Sequence, residues 1–541
     1  MKKIILFLLL HITNVIFAQP TCQWAYIPEG PTQSYNHIYN ATSDQNGNII
    51  ELGMILGSAD MNPGTNPSDT SFTDGGYNYY ISKTSSAGQL MWIHYFENNS
   101  QIASLEYSGV KVNSANEIVI TGNYTGLIDF DLSDSGVDTL RSHFPTYPDY
   151  FIAKYDSSGN YKWAFNIGDS TTNSIETQSL TILSNDNIVV VANPIGTLDV
   201  DPGSGVHYSI GGNANLICYD SNGNYVWNNN ISTSTSYAIP NNSLDHDNAG
   251  NVYVASVGYY ELTITKIDNG GTQLLNMTLG QFSAGARVNP QSILTDISTG
   301  DLYIAGTFGG TVDFDPGAMT VTKTSSSGFF QDGFIAKYDQ NLNLQWVNAY
   351  QGEMNFGKSS LDFDGTQLIA AGGMKGTIDF GNGNIFSTIT NSTGPLFLKL
   401  NTTTGNTDEG YLLDGFGQYQ TINTCPNNVF ATTGIINGVT DFDPTPDTLI
   451  LTPGTNNSFT AFYSQPVPTN ISSNSASQKV FAYPNPATNF IQLKINDELI
   501  GSVYSIHDLT GRTIQTGELN KEKSTLQIED LAKGMYFLSL C

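Results

Sequence analysis

The sequence repeats one hairpin-like pattern, and a repeat constrains the fold of a long chain more than any local motif does. At residues 332–346 it reads Asp-Gly-Phe-Ile-Ala-Lys-Tyr, a polar turn and a segment ending in tryptophan, and residues 149–163 repeat it closely. In the first half, Phe334, Ala336 and Tyr338 occupy alternate positions, which is typical of a strand that buries one face. The pattern therefore predicts β-hairpins that recur along the chain.

The spacing of the tryptophans gives the size of the repeating unit. All five lie at the same position, in the strand that ends a copy of the hairpin, which we call the tryptophan slot; they are Trp24, Trp92, Trp163, Trp227 and Trp346. In two further copies this slot is held by Leu275 and by the region near Asp408. Slots are roughly 50 to 70 residues apart, which is room for four short strands with their turns. A turn-and-strand block occurs seven times upstream of these slots. We therefore expect a seven-bladed β-propeller over residues 19–464.

The two ends of this region predict how the propeller closes. The last unit ends at residues 460–464 without a tryptophan strand, whereas residues 22–27 form a tryptophan strand with no partner before it. An open ring would leave sheet edges in water, so we expect the amino-terminal strand to complete the seventh blade as its outermost strand. Full burial of Trp24 would contribute up to about 5 kcal/mol, so Trp24→Ala should be among the most damaging single changes.

Composition supports an all-β fold and excludes two kinds of partner. The 541 residues include 53 Gly, 29 Tyr and 27 Phe, with only 13% charged residues, and no long stretch has the apolar spacing of a helix. The net charge of −28 disfavours nucleic acid and anionic lipid. The four cysteines are far apart and form no Cys-x-x-Cys pair, so we expect free thiols, with one disulfide as the alternative.

The amino terminus predicts export. Residues 1–18 combine two lysines, a short apolar run and a small residue at Ala18, as a cleaved secretory signal does. The alternative, a membrane anchor, is disfavoured because His11 and Asn14 interrupt the run, which is shorter than the roughly 20 residues that a spanning helix needs. No later run reaches that length, so we expect no membrane insertion.

One lysine recurs at the same position of the first hairpin strand in five units, at Lys83, Lys154, Lys266, Lys337 and Lys399. A catalytic lysine repeated around a ring is implausible. We therefore predict a structural role, such as an ion pair with a neighbouring aspartate.

The amino-acid composition changes near the end of the chain. Residues 465–479 are rich in Pro, Ser and Asn, a linker composition. Residues 480–541 lack the repeat and predict short antiparallel strands in a small Ig-like β-sandwich.

This segment resembles the carboxyl-terminal sorting domain of the type IX secretion system of Bacteroidota. The resemblance covers residues 480–541 and rests on Tyr483-Pro-Asn-Pro486, Ile506-His-Asp-Leu-Thr-Gly-Arg512 and Leu531-Ala-Lys-Gly-Met-Tyr-Phe537. It implies the type IX machinery as a partner, passage across both membranes, and release or attachment at the cell surface. The repeats resemble the β-propeller repeats of secreted bacterial proteins, which implies a fold but no ligand.

A recurring Gly-x-x-Asp-Phe-Asp-Pro block offers the best candidate for metal chemistry. Paired carboxylates two residues apart could supply oxygen ligands to Ca²⁺; the candidates are Asp129, Asp131, Asp134, Asp199, Asp201, Asp313, Asp315, Asp441 and Asp443. Calcium loops usually gather six or more oxygens, and only two or three are local here. The alternative is a turn in which the aspartates cap backbone N–H groups.

No catalytic motif is recognisable. The histidines form no His-Glu-x-x-His pair, and Gly-x-Ser-x-Gly, a P-loop and a dinucleotide-binding fingerprint are all absent from the sequence. We therefore expect a monomeric, secreted or surface-displayed protein, without catalytic residues or an organic cofactor, that binds an extracellular glycan, polymer or protein. The alternative is an extracellular polysaccharide hydrolase or lyase with acids from several blades, and a structural adhesin is a third hypothesis.

Overall fold

In the computed structural model the chain is described at residues 5–8, 20–28, 35–57, 59–62, 70–71, 77–96, 102–133, 136–144, 147–168, 175–194, 196–209, 214–231, 243–257, 262–279, 286–326, 332–364, 367–382, 384–388, 392–413, 415–426, 429–445, 448–452, 457–464, 481–483, 489–495, 500–507, 512–529, 531 and 535–540. These residues form strands and turns, and none of them is helical. The chain divides into two compact parts, Gln19–Gln465 and Pro466–Cys541, the latter grouped with Met1–Ala18. The fold is therefore all-β, as predicted.

Within the described residues, the strands of the larger part pair antiparallel, apart from one parallel bridge between Leu344–Phe363 and Gly417–Cys425, in a propeller-like fold, and we group them in chain order into units of four strands. The strands of units 1 to 4 are, in order, Tyr35–Ser43, Ile49–Leu56, Tyr77–Thr84 and Leu90–Phe96; Ile102–Val112, Ile118–Asp129, Asp149–Tyr155 and Tyr161–Ile167; Ile175–Ile182, Ile188–Pro194, Ala214–Tyr219 and Tyr225–Ile231; Leu244–His246, Val252–Val257, Leu262–Ile267 and Gln273–Leu279.

Units 5 and 6 share one long strand, Leu344–Phe363, whose first half ends unit 5 and whose second half begins unit 6. The other strands of units 5 to 7 are Arg287–Thr295, Leu302–Gly309 and Asp332–Tyr338; Gln367–Lys375, Thr393–Asn401 and Thr407–Leu412; Gly417–Cys425, Val429–Ile436, Asn457–Ser464 and, from the other end of the larger part, Thr21–Tyr26.

A small hairpin lies between the second and third strands of most units, where the Asp-Phe-Asp-Pro blocks fall. Its strands are Ala59–Asp60 with Thr70–Ser71, the end of Ile118–Asp129 with Thr139–Arg141, Leu198–Asp199 with Tyr208–Ser209, Thr311–Asp313 with Thr322–Thr324, Thr377–Asp379 with Ile385–Ser387, and Thr440–Asp441 with Ile450–Leu451. In unit 2 the hairpin strand Thr139–Arg141 belongs to the same sheet as the four strands, whereas the other hairpins form separate two-stranded sheets.

The strand predicted to pair with the last unit does so. Thr21–Tyr26 runs antiparallel to Asn457–Ser464, with Trp24 opposite Phe462. The two rings stack with their centroids 5.5 Å apart. Trp24 is only partly buried, so its contribution is below the upper bound of about 5 kcal/mol that full burial sets.

Residues of Asn457–Ser464 also contact the first two strands of unit 1, and we call this contact between units 7 and 1 the seam. The backbone N–H of Ser458 donates to Asn36 (2.6 Å), and the Ile38 N–H donates to the Ser458 hydroxyl (3.0 Å). The Thr460 hydroxyl donates to the buried carboxyl of Glu51. Units 7 and 1 are therefore held together by side-chain and backbone hydrogen bonds.

Fourth-strand tryptophans link one unit to the next. Trp227 Nε1 donates to the carbonyl of Asn269 in the following unit (2.9 Å), and Trp346 Nε1 donates to that of Thr402 (3.2 Å). Trp24 makes the equivalent bond to Ser86 of unit 1 (3.0 Å). Its ring lies on Gly88, where a Cβ would come within 3.1 Å of the indole. The contact across the seam thus repeats the contact between other units.

The middle strands are buried on both faces, which the alternation of apolar residues did not predict. In Asp332–Tyr338, Phe334 and Ala336 pack in one apolar cluster and Ile335 packs in another. Each sheet is covered by a neighbouring unit on either side, so both sets of alternate residues leave water. Their burial supplies the main driving force for stacking the units.

The smaller part contains two sheets. One has Phe481–Tyr483, Phe490–Lys494 and Lys523–Gln527, and the other has Val503–His507, Thr513–Glu518, Met535–Leu540 and, in parallel with the last of these, Ile5–Leu8. One apolar cluster takes residues from both sheets, including Ile491, Leu526, Ile506 and Tyr536. This is the layered β-arrangement expected of residues 480–541. The predicted linker, residues 465–479, lies outside the described residues.

Two further sequence predictions concern cysteines and membranes. Cys22, Cys218 and Cys425 are free thiols, and Cys541 lies outside the described residues. The described part of the chain contains no helix that could cross a membrane.

Candidate functional site

The first strands of the units meet side by side. Each contacts the first strand of the next unit, and Gly417–Cys425 of unit 7 contacts Tyr35–Ser43 of unit 1. A cleft of about 420 Å³ opens among the first strands of units 5, 6 and 7. It is lined by Asn289, Gln291, Thr307, Glu353, Met354, Asn355, Gly373, Thr393 and Gln418. Its size is within the range of small-molecule sites.

Three carboxamide side chains cross this cleft, one from each unit, and we call them the carboxamide row: Gln291, Asn355 and Gln418. The Gln291 amide donates to Asn355 Oδ1, and Asn355 Nδ2 donates to Gln418 Oε1 (2.9 Å). Gln291 Oε1 also accepts the backbone N–H of Phe356 (3.0 Å). These bonds fix the orientation of the amides before any ligand arrives.

Strand register explains why polar residues meet at this level. A glycine in the second strand pairs with a first-strand residue in five units; these pairs are Gly53 with Ile38, Gly122 with Tyr107, Gly306 with Pro290, Gly372 with Phe356, and Gly434 with Tyr419. Gln291 lies just after this position, at the register shift between Pro290 and Ser292. The residues just before these first-strand partners are His37, Glu106, Asn289, Asn355 and Gln418. A polar residue therefore recurs at one register position of the first strand in five units.

Ionisable groups on the first strands of units 1, 2 and 6 influence one another; they are His37, Glu106 and Lys358. Partial removal from bulk water, followed by the nearby charge of Lys358, lowers the pKa of His37. Desolvation also lowers the pKa of Lys358, although the negative charge of Glu106 opposes that shift. These three residues interact electrostatically between units, and we call them the ionisable wall; Lys358 lies three positions after Asn355 on the same strand.

Sequence reasoning missed the carboxamide row and the ionisable wall. The signal available was the second-strand glycine, which marks the register position of Asn355 and Gln418, but the inter-unit contacts were needed to bring residues some 60 positions apart into one site. Sequence spacing alone gives no such register between first strands of different units.

The calcium candidates form turns, and they are not gathered in one place. Within the described residues, no group of three or more His, Cys, Asp or Glu side chains could hold a metal. Asp313 Oδ1 accepts the N–H groups of Asp315 (3.1 Å) and Val321 (2.9 Å), and Asp315 Oδ1 accepts that of Gly317 (2.7 Å). These are the capping bonds of the turn interpretation.

The other copies repeat this geometry. The first aspartate of each block caps two N–H groups and the second caps one; the pairs are Asp129 with Asp131, Asp199 with Asp201, and Asp441 with Asp443. Asp134 lies outside the described residues. The aspartates are therefore occupied in holding the hairpins, and a calcium site there stays a prediction.

The repeated lysines form the ion pairs that the sequence predicted. Each pairs with an acidic residue of its own unit: Lys83 with Asp44, Lys154 with Glu117, Lys266 with Asp247, Lys337 with Asp301, and Lys399 with Asp364. Four of them also donate to a backbone carbonyl in the next unit, at Ser157, Ser221, Gln340 and Thr402 respectively. The lysines are thus structural links between units.

Together these features define a protein with a propeller-like body and a separate carboxyl-terminal β-domain. Residues 481–541 match the family described as the secretion system C-terminal sorting domain. The resemblance to the type IX sorting domain, drawn from residues 480–541, is therefore confirmed, and it implies export out of the cell. No curated protein matches the chain.

Several solved structures are similar at low identity. A protein of unknown function from Dyadobacter fermentans is 9% identical over 83% of this chain and 99% of its own (TM-score 0.38). Quinohemoprotein alcohol dehydrogenase from Comamonas testosteroni is 10% identical over 84% and 78% (TM-score 0.39). PorZ, a surface component of the type IX secretion system of Porphyromonas gingivalis, is 9% identical over 95% and 99% (TM-score 0.17). At TM-scores this low, the likenesses carry no argument.

Proposed function

We propose that this protein is secreted or displayed on the cell surface as a closed ring of seven blades, and that it binds an extracellular glycan, polymer or protein at one mouth of the central channel. The single observation that carries the binding role is the cleft with its pre-oriented carboxamide row. Pre-orientation lowers the entropic cost of binding, because the amides need not be ordered by the ligand.

Closure of the ring is supported by three observations at the seam. Thr21–Tyr26 pairs with Asn457–Ser464, the first strands of units 7 and 1 are in contact, and Trp24 contacts the unit 1 turn as other tryptophans contact the turn of the following unit. A closed ring removes exposed sheet edges. It also fixes the width of the channel at which the ligand binds.

Export follows from the two ends of the chain. We propose that residues 1–18 are a cleaved signal, that residues 465–479 are a linker, and that residues 480–541 engage the type IX machinery. The protein then acts as a monomer, either released or attached to the outer surface. In a Bacteroidota host, a chain truncated after residue 479 should stay in the periplasm while the full chain reaches the surface or medium, as immunoblots of cell fractions would report. Equal export of the two chains contradicts this role.

The second candidate function is enzymatic, and the ionisable wall favours it. Glu106, Lys358 and His37 lie on the first strands of units 2, 6 and 1, and a lysine with a lowered pKa is suited to proton transfer. A reducing-sugar release assay, with ultraviolet detection of unsaturated products, separates the two functions. Turnover of any polysaccharide that is abolished in Glu106→Gln and Lys358→Met establishes the enzyme, and binding without turnover establishes the binding protein.

A further inference from the structure

The carboxamide row keeps hydrogen-bonding capacity beyond the bonds that orient it. A primary carboxamide has two N–H donors and two acceptor lone pairs. Gln291 uses one donor and one acceptor in the bonds described above, as does Asn355, while Gln418 uses one acceptor. The three side chains are partly buried and line the cleft. The row therefore presents donors and acceptors together to whatever occupies the cleft.

From this geometry we infer that the carboxamide row binds an uncharged oligosaccharide segment through its hydroxyl groups. A hydroxyl group both donates and accepts, so a row of amides can satisfy several adjacent hydroxyls at once. This inference rests on the proposed binding function and names the ligand class at the same cleft. It does not depend on closure of the ring or on the ionisable wall.

Charge argues against the other polymer classes. Glu353 is the one charged residue among those that line the cleft, and it pairs with Lys375 (3.2 Å). An anionic polysaccharide would find no cation on the carboxamide row, and it would approach a chain of net charge −28. A cationic ligand would have to compete with Lys375 for Glu353. An uncharged chain is neither repelled by the net negative charge nor in competition with Lys375.

The walls of the cleft fit a slender polar chain. Thr307 and Thr393 contribute hydroxyl groups, and Met354 contributes an apolar surface. Gly373 lies between Gln418 and Thr393, where a Cβ would come within 2.7 Å of either side chain. A side chain at residue 373 would therefore displace Gln418 from the row, which makes this glycine a determinant of the shape of the site.

The test uses the full chain and a panel of probes: cello-, xylo-, manno-, malto- and laminari-oligosaccharides, the anionic polymers pectate and alginate, and a cationic chitosan. Binding is measured by isothermal titration calorimetry for the parent chain and for Gln291→Ala, Asn355→Ala and Gln418→Ala. The matched control is Gln345→Ala, an exposed glutamine on the outer half of Leu344–Phe363. Melting curves report whether each variant is folded.

We expect saturable binding of at least one neutral oligosaccharide, weakened about 3- to 10-fold by each carboxamide variant and unchanged by the control, since one neutral hydrogen bond contributes about 1 kcal/mol. Binding of charged polymers alone, or neutral binding that survives all three substitutions in folded protein, overturns the inference but leaves the binding function standing. Absence of binding to every carbohydrate probe overturns the inference as well. If surface proteins of the host also fail to bind, the proposed function falls with it.

Discussion

Replacing Trp24 by alanine should loosen the seam between units 7 and 1. The side chain stacks on Phe462, lies on Gly88 and donates to the Ser86 carbonyl. A tryptophan buries about 150–250 Å² when fully enclosed, and Trp24 is partly exposed, so we take about 150 Å². At 25 cal/mol per Å², less the area already buried in a compact unfolded chain, the loss is about 3 kcal/mol.

Hydrogen exchange measured by mass spectrometry reports this loss locally. If the seam opens as a unit, about 3 kcal/mol corresponds to exchange roughly 100-fold faster in Thr21–Tyr26 and Asn457–Ser464. Trp24→Phe should keep most of the stacking and lose only the hydrogen bond, with exchange less than about tenfold faster. Trp346→Ala, which removes the equivalent contact between units 5 and 6, is the matched control and should leave exchange at the seam unchanged.

Two results would refute this reasoning. Exchange at the seam within threefold of the parent in folded Trp24→Ala protein would mean that the tryptophan does not hold units 7 and 1 together. Equal acceleration at the seam in Trp24→Ala and Trp346→Ala would mean that the units open together, and that the seam has no separate stability.

Three other predictions follow from the interactions within and between units. Burial raises the pKa of Glu51 to about 7 from 4.5, and the Thr460 hydrogen bond opposes the shift. Because the unfolded chain loses this proton at a lower pH than the folded protein, the free energy of unfolding should fall by up to about 3 kcal/mol as pH rises from 4.5 to 7. Urea titrations should show that Glu51→Gln flattens this pH dependence. Lys154 and Lys162 both pair with Glu117, but Lys154 is 5% exposed and Lys162 is 43% exposed. Lys154→Met should lower the free energy of unfolding by about 2–4 kcal/mol and Lys162→Met by less than about 1 kcal/mol. Equal losses would contradict a structural role for the buried Lys154 pair. Asp313→Ala should lower the free energy of unfolding by about 1 kcal/mol, and Asp313→Asn, which keeps the capping oxygen, should lower it by less. Calorimetry should detect no Ca²⁺ binding. A saturable heat of Ca²⁺ binding that is lost in Asp313→Asn would contradict the turn interpretation.

The repeat made much of the larger part predictable. The tryptophan slots fall in the fourth strands, and the unpaired strand at the amino end pairs with the unpaired strand at residues 457–464. Both inferences needed only the period and a count of strands. The ion pairs of the repeated lysines were predictable for the same reason, because one geometry recurs in each unit.

What sequence reasoning could not give is the packing between units. Ile335 alternates with Phe334 along one strand, yet both are buried, because a neighbouring unit covers each face. The carboxamide row depends on first strands from three units meeting at one level, and no local pattern specifies that register. The partial burial of Trp24 likewise depends on its contacts with the turn of unit 1.

The most direct test of the account is an experimental structure of the exported protein with a neutral oligosaccharide bound. We expect seven units in a closed ring, Thr21–Tyr26 hydrogen-bonded to Asn457–Ser464, and sugar density in contact with Gln291, Asn355 and Gln418. An open array of units, or a ligand bound away from the carboxamide row, would contradict the account.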